Sequence, residues 1–196
     1  MFPQVQLNSL TREDVERVAG WLHDPEVNSL WFGEDENGDP LHMGYSPTDV
    51  LSAPEAEWDQ SIPDEEHRKV FSVYSSEGDH IGEGQLEFEW PLLEAQLLLI
   101  IGRKDLWHHH YGTSALVALL DEAYDTYELH RVWVDVPEYN EHALRLCRHV
   151  GFVLEGHFRK THRKGDTWYD SFAMGLLSDE YLRRRNRLME SEGAEG

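Results

Sequence analysis

Ile100-Ile101-Gly102-Arg103-Lys104-Asp105-Leu106-Trp107, followed by His108-His109-His110-Tyr111-Gly112-Thr113-Ser114-Ala115-Leu116, is the stretch on which the fold turns. The segment leading into it, Ala95 to Ile101, is almost wholly apolar, as a strand buried on both faces should be. Past Gly112 the apolar period changes, with Leu116, Leu119, Leu120 and Ala123 at helical spacing through about Tyr127. A buried strand therefore runs through a polar loop into a helix.

Upstream, Val5 to Ser9 reads as a short strand. Thr11-Arg12-Glu13-Asp14 then supplies an N-cap threonine with acid in the first turn, and Val15, Val18, Ala19 and Leu22 share one helical face. Residues 30–66 are rich in Gly, Pro, Asp and Glu, with a helix expected around Pro47 to Trp58; so long an irregular stretch suits a functional loop region. Val70 to Tyr74 and Ile81 to Trp90 are predicted strands around the turn Glu77-Gly78-Asp79. Downstream come a strand over Arg131 to Val136 and a helix from Asn140, with Ala143, Leu144 and Cys147 inward and Gly151 as its stop. Phe152 to Arg159 and Thr167 to Leu176 read as strands joined by Lys164-Gly165-Asp166. Ser178-Asp179-Glu180 caps a last helix, and residues 191–196 read as a frayed tail. The order is that of an α/β protein with a mixed sheet and helices against it.

Composition narrows the function classes. Thirty-eight acidic against 17 basic residues give a formal charge of -21. Such a field repels nucleic acid and anionic membranes and attracts cations, so the expected partners include neither nucleic acid nor membrane. The same charge fits steering of a cationic amine or a solubility or high-salt adaptation of the whole surface. The N-terminus lacks the basic-then-apolar pattern of a secretory signal, and one cysteine, Cys147, excludes an internal disulfide, so the cytoplasm is the expected compartment.

The quoted stretch resembles the strand–loop–helix segment of the RimJ/RimL-like branch of the GNAT N-acetyltransferases, where "IG…LW" leads into a glycine-rich "GxGYGTEA" loop. Ile81-Gly82, Leu129-His130-Arg131-Val132, Asn140-Glu141-His142-Ala143, Val150-Gly151-Phe152 with Glu155-Gly156, and Trp168-Tyr169-Asp170 before Met174-Gly175-Leu176-Leu177 match further motifs in order. The resemblance implies a GNAT fold, a mixed, mostly antiparallel sheet flanked by α-helices, as one domain over residues 1–180, with 181–196 a helix end and tail. It implies acetyl transfer from acetyl-CoA to a primary amine (a protein N-terminus, a polyamine or a small amine) by direct attack in a ternary complex, and a homodimer as the assembly.

The same resemblance assigns residues. Backbone of Ile100, Ile101 and Gly102 would serve the thioester and pantetheine arm. The loop His108, His109, His110, Tyr111, Gly112 and Thr113 would hold the pyrophosphate at a helix N-terminus, where unpaired N–H groups and the positive dipole end favour anions. Arg103, Lys104, Arg145 and Arg148 could add cationic relief or simply solvate the surface. Asn140 would hold the cofactor arm or cap its helix. The departure is His110, where the pattern asks for glycine. Three readings follow: an intact cradle with imidazole on phosphate, a degenerate site, or a metal site, though adjacent histidines cannot easily converge on one ion and no metal is expected. Cys147 stands where many relatives carry a tyrosine that protonates the departing thiolate, and a buried filler is its other reading. Ala143 occupies the position of a RimL-like serine. For the general base, His162 matches the hairpin position of a RimL-like glutamate, imidazole's ordinary pKa of about 6.5 suiting the task; Glu87 and Glu89 are rival bases. The alternative to an enzyme is a catalytically idle GNAT-fold protein that senses acyl-CoA or mediates protein contacts.

Overall fold

The computed structural model describes residues 2–35, 37–64 and 66–190; the expected tail lies outside the described residues. Strand β1 (Val5–Ser9) leads to helix α1 (Arg12–Leu22) and a short α2 (Pro25–Leu30). Then come α3 (Pro47–Ser52), α4 (Trp58–Ser61), β2 (Arg68–Ser75), β3 (His80–Glu89) and β4 (Glu94–Ile101). Helix α5 (Tyr111–Asp121) follows the decisive loop, and the chain closes with β5 (Arg131–Pro137), α6 (Glu141–Val150), β6 (Val153–Lys164), β7 (Thr167–Leu177) and α7 (Ser178–Glu190). The strands form one seven-stranded sheet in the order β1-β2-β3-β4-β5-β7-β6. Every neighbour pairs antiparallel except β4 and β5.

One helical expectation needs correction, and one helix went unread. The helix expected over Pro47 to Trp58 is broken, because Pro54 holds Ala53 extended (ψ 142°) and ends α3. Helix α2, unread in the sequence, starts from Asp24, whose carboxylate accepts from the amides of Glu26 and Val27 with Pro25 in the first turn.

Strand alternation decides which face each helix covers. Leu86 and Phe88 of β3 and Val132, Val134 and Val136 of β5 meet Leu116, Leu119 and Leu120 of α5 and Leu144 and Cys147 of α6 in the main core. At Gly84 a side chain would meet Leu119 at 2.5 Å, so glycine lets α5 lie close on the sheet. On the other face Ile100 packs with Val18 and Leu22 of α1 and Val27 of α2. Gly102 ends β4 directly under the Trp21 ring, where no Cβ would fit.

His80, at the head of β3, is buried between the rings of Trp21 (4.9 Å) and Tyr74 (5.1 Å). Burial pushes its pKa down, and Asp14, 3.4 Å from Nδ1, only partly opposes this. A histidine kept neutral by folding takes up its proton first in the unfolded chain. Its contribution to stability is therefore complete above about pH 6.5 and is lost as pH falls through the depressed folded value. The urea midpoint should drop between about pH 7.5 and 5.5 more for the wild type than for His80→Gln. Equal drops in the two would show that His80 is not the titrating group.

Candidate acetyl-transfer site

The site begins where β4 and β5 part. They pair only at Glu94–Gln96 with Arg131–Trp133, an end pinned by Arg131, whose guanidinium bonds Glu94 (2.6 Å) and Glu155. Beyond, the strands diverge around a slot lined by Leu97, Leu99, Val134, Val136, Leu146 and Cys147, among others. The hydrogen-bond phase shows which peptides face it. Gly102 N–H donates to Ile81 O (3.0 Å), and antiparallel alternation then commits Ile100 to β3 as well while Leu99 and Ile101 turn outward toward the slot. On β5, Ser178 N–H to His130 O (3.0 Å) sets the opposite phase, which commits Val134 and Val136 to β7 and turns the Asp135 peptide into the slot. Of Ile100, Ile101 and Gly102, then, only Ile101 turns its peptide away from β3, and its carbonyl accepts from Trp107 Nε1 (2.8 Å). Leu99, which the sequence did not mark, turns the same way and lines the slot. Gly102 serves packing.

The loop adopts left-handed backbone without glycine at two positions. His108 and His110 adopt φ of 64° and 63°, the left-handed region glycine would fill and one that histidine visits more than most residues. His110 is the N-cap of α5 and makes no side-chain capping bond. The first-turn amides of Tyr111, Gly112 and Thr113 have no carbonyl a turn earlier within the helix. The three imidazoles diverge: His108 lies against His142 (4.8 Å), His110 edge-on to Phe2 (5.6 Å), and His109 is exposed. They do not converge on an ion. Arg103 is paired with Asp105 (2.7 Å), Lys104 with Asp24 (2.8 Å) and Arg145 with Glu141 (3.2 Å), so neighbouring carboxylates already engage these cations.

Asn140 is a strut. Its Oδ1 accepts from Ala143 N (3.1 Å), capping α6, and its Nδ2 donates to Leu30 O (3.0 Å). Tyr139 adds a second tie, its hydroxyl donating to Trp31 O (2.6 Å). Together they hold residues 30–32 over the slot, where Leu30, Trp31 and Phe32 form part of the lining.

His162 is buried, with Nε2 3.1 Å from Oδ2 of Asp135 and its ring stacked on Phe32 at 5.3 Å. Asp135 lines the slot and was not singled out in the sequence, because a lone aspartate in a strand carries no motif. Cys147 also lines it, but burial pushes the thiol up to about 12. A thiol that holds its proton so tightly is a poor donor to a departing thiolate; its packing in the core, 5% exposed, fits the filler reading.

Glu87 and Glu89 are not brought to the slot. They pair opposite Gln96 and Glu94, at the closed end where β4 still meets β5, and Glu87 is engaged by Arg68 (2.5 Å). The carboxylate nearer the opening is Glu83, opposite Ile100. It is 1% exposed and fully engaged, accepting from Tyr45 Oη, Gln85 Nε2 (2.8 Å) and His42 Nε2 (2.9 Å), while Trp31 Nε1 donates to His42 Nδ1 (3.2 Å). This network fixes Trp31 from behind. Neither Glu83 nor the folding of residues 42–45 onto it was read in the sequence.

These features fit acetyl-CoA. A helix start with uncapped amides suits a pyrophosphate, and an apolar slot edged by peptides that lie outside the β3 and β7 ladders suits an extended, amide-bearing arm pairing like an added strand. Comparison with known proteins points the same way. The spermidine N(1)-acetyltransferase of Vibrio cholerae is 26% identical over 189 residues, 94% of this chain and 99% of the relative. The uncharacterized N-acetyltransferase YnaD of Bacillus subtilis is 28% identical over 71 residues, 36% of this chain and 42% of that protein. The crystal structure of spermidine N-acetyltransferase from Vibrio cholerae in complex with CoA and spermine superposes with a TM-score of 0.76 at 23% identity, over 91% of this chain and 98% of that one. These relatives support the wider family without singling out the RimJ/RimL-like branch. Residues 4–153 match the model of the acetyltransferase (GNAT) domain, and the chain belongs to that family of acetyl-CoA-dependent transferases.

Proposed function

We propose that this protein acetylates a primary amine with acetyl-CoA by direct attack in a ternary complex, and that the acceptor is a polyamine such as spermidine. The observation that carries the reading is the split of β4 from β5, which leaves the Leu99 and Asp135 peptides facing one slot beside the uncapped start of α5. The polyamine comes from the relatives, and a chain of charge -21 attracts such a polycation. The RimJ/RimL-like run of motifs is our reading of the scaffold and does not choose the acceptor. A cytosolic enzyme without nucleic acid or membrane partners, assembled as a homodimer, completes the proposal.

In this reading the first-turn amides of Tyr111, Gly112 and Thr113, with the flanking histidines, hold the pyrophosphate. Leu99 and Ile101 align the pantetheine arm, and Trp31 and Phe32 exclude water from the reacting centre. His162, held by Asp135, receives the amine's proton. His110, whose departure from the resemblance left an idle sensor open in the sequence, holds the left-handed backbone that glycine favours, which supports an intact cradle.

The test is calorimetric titration with acetyl-CoA, followed by turnover on a panel of spermidine, spermine, small amines and a peptide N-terminus. We expect binding, and turnover highest on the polyamines. His162→Ala should lower kcat about tenfold or more. Undetectable acetyl-CoA binding would reject the enzyme reading, and a change under about twofold in the variant would reject His162 as base.

A further inference from the structure

We infer that Asp135 seats the acceptor, its Oδ1 taking a hydrogen bond from the amine nitrogen that is to be acetylated. This rests on the acetyl-transfer reading above and adds the group that recognises the substrate's reactive end.

Among the described residues Asp135 is the one carboxylate in the slot, where most lining side chains are apolar. Strand alternation sends Val134 and Val136 into the core beneath α5 and α6 and Asp135 to the opposite face, toward residues 30–32. One of its oxygens is engaged, Oδ2 lying 3.1 Å from His162 Nε2. The other is buried and, among the described residues, has no hydrogen-bond partner. A buried carboxylate oxygen without a donor is costly, and native proteins tolerate few of them. The neighbouring donors are engaged elsewhere: Asn140 Nδ2 donates to the Leu30 carbonyl and the Tyr139 hydroxyl to the Trp31 carbonyl.

The missing partner must bring an N–H or O–H into the slot. An acetyl thioester has none at its reacting end, whereas a primary amine has them on the attacking atom. The surroundings suit a cation before its proton is lost, since Phe32 and Tyr139 rings flank the pair at 5.3 and 6.5 Å from the imidazole. The ammonium first gives one proton to solvent as it enters the slot. Then, as the N–C bond forms and the C–S bond breaks, sulfur leaves with the bonding electron pair as a thiolate and the nitrogen sheds its second proton. The Asp135–His162 pair takes it, Asp135 orienting the amine and His162 receiving the proton at Nδ1, since its Nε2 is committed to Asp135, directly or through one water.

The pantetheine amides are the rival source of a donor, and kinetics with the two substrates varied separately tells them apart. Spermidine and acetyl-CoA serve as probes on the full chain, with CoA affinity measured by calorimetry and folding by thermal melting. Asp135→Asn should raise the KM for spermidine roughly tenfold or more while CoA affinity stays within about twofold. A lowered CoA affinity with unchanged spermidine KM would overturn the proposal in favour of a cofactor contact, and no change in either would overturn it outright. Should Asp135→Asn melt early, Asp135→Glu, which keeps the charge but moves it, is expected to show the same split. A wild type that binds acetyl-CoA yet is silent on every amine would instead reject the transfer reading, and this proposal with it.

Discussion

His110→Asp should weaken acetyl-CoA binding about thirtyfold, roughly 2 kcal/mol, while leaving the melting temperature unchanged or slightly raised. The argument starts from the backbone. His110 holds φ at 63° as the N-cap of α5, and aspartate is among the residues that tolerate that region. Its carboxylate would lie beside the first-turn amides that the imidazole leaves uncapped, and acidic groups at a helix start stabilise the helix. The same charge would compete with a pyrophosphate for those amides and repel it, which removes one or more charge-assisted hydrogen bonds. His110→Gly is the matching control. It supplies the residue that the loop conformation favours, so affinity should hold within about threefold. Calorimetry and a thermal melt on both variants decide the matter. Full affinity in His110→Asp would mean that the pyrophosphate does not sit on this turn.

Asp14→Ala should be the most destabilising single change, costing about 3–5 kcal/mol as read from the urea midpoint. The Asp14 carboxylate is completely buried yet accepts from Thr11 N (3.1 Å), Thr11 Oγ1 (2.8 Å), Ser72 Oγ (2.8 Å), Tyr74 Oη (2.6 Å) and Arg17 Nη1 (2.8 Å). Burial alone would raise its pKa, but hydrogen bonds from Tyr74, Thr11 and Ser72 outweigh that and hold it below the ordinary carboxylate range. The carboxylate ties α1 to β2, and truncation would strand several donors in a dry interior. Because the folded pKa is depressed, this contribution is complete above about pH 4 and is lost as pH falls below it. A cost under about 1 kcal/mol would show that water replaces the carboxylate.

Asp14 also shows where the sequence stops being informative. The capping box of Thr11 and Asp14 is local, and the chain announces it within four residues. That the same carboxylate bonds Ser72 and Tyr74 depends on register across β2, which no local pattern encodes. The site divides the same way. Strand, loop and helix starts were legible because periodicity and capping act over a few residues. Glu87 and Glu89 were misplaced because alternation gives a face but not a position along the slot. Asp135 went unread because its meaning comes from His162, 27 residues away in sequence.

The sequence by itself determined the order of elements around Ile100 to Leu116, the helix start that suits an anion, and an acidic surface. Only the tertiary structure decided which peptides turn away from the neighbouring ladders. The β4–β5 split, the hydrogen-bond phase that turns Leu99 and Ile101 outward, and the left-handed turn at His110 are set by long-range packing against α1, α5 and α6. Local propensity acts on neighbouring residues, whereas an open slot exists only when strands distant in sequence are held apart by what is packed on both their faces.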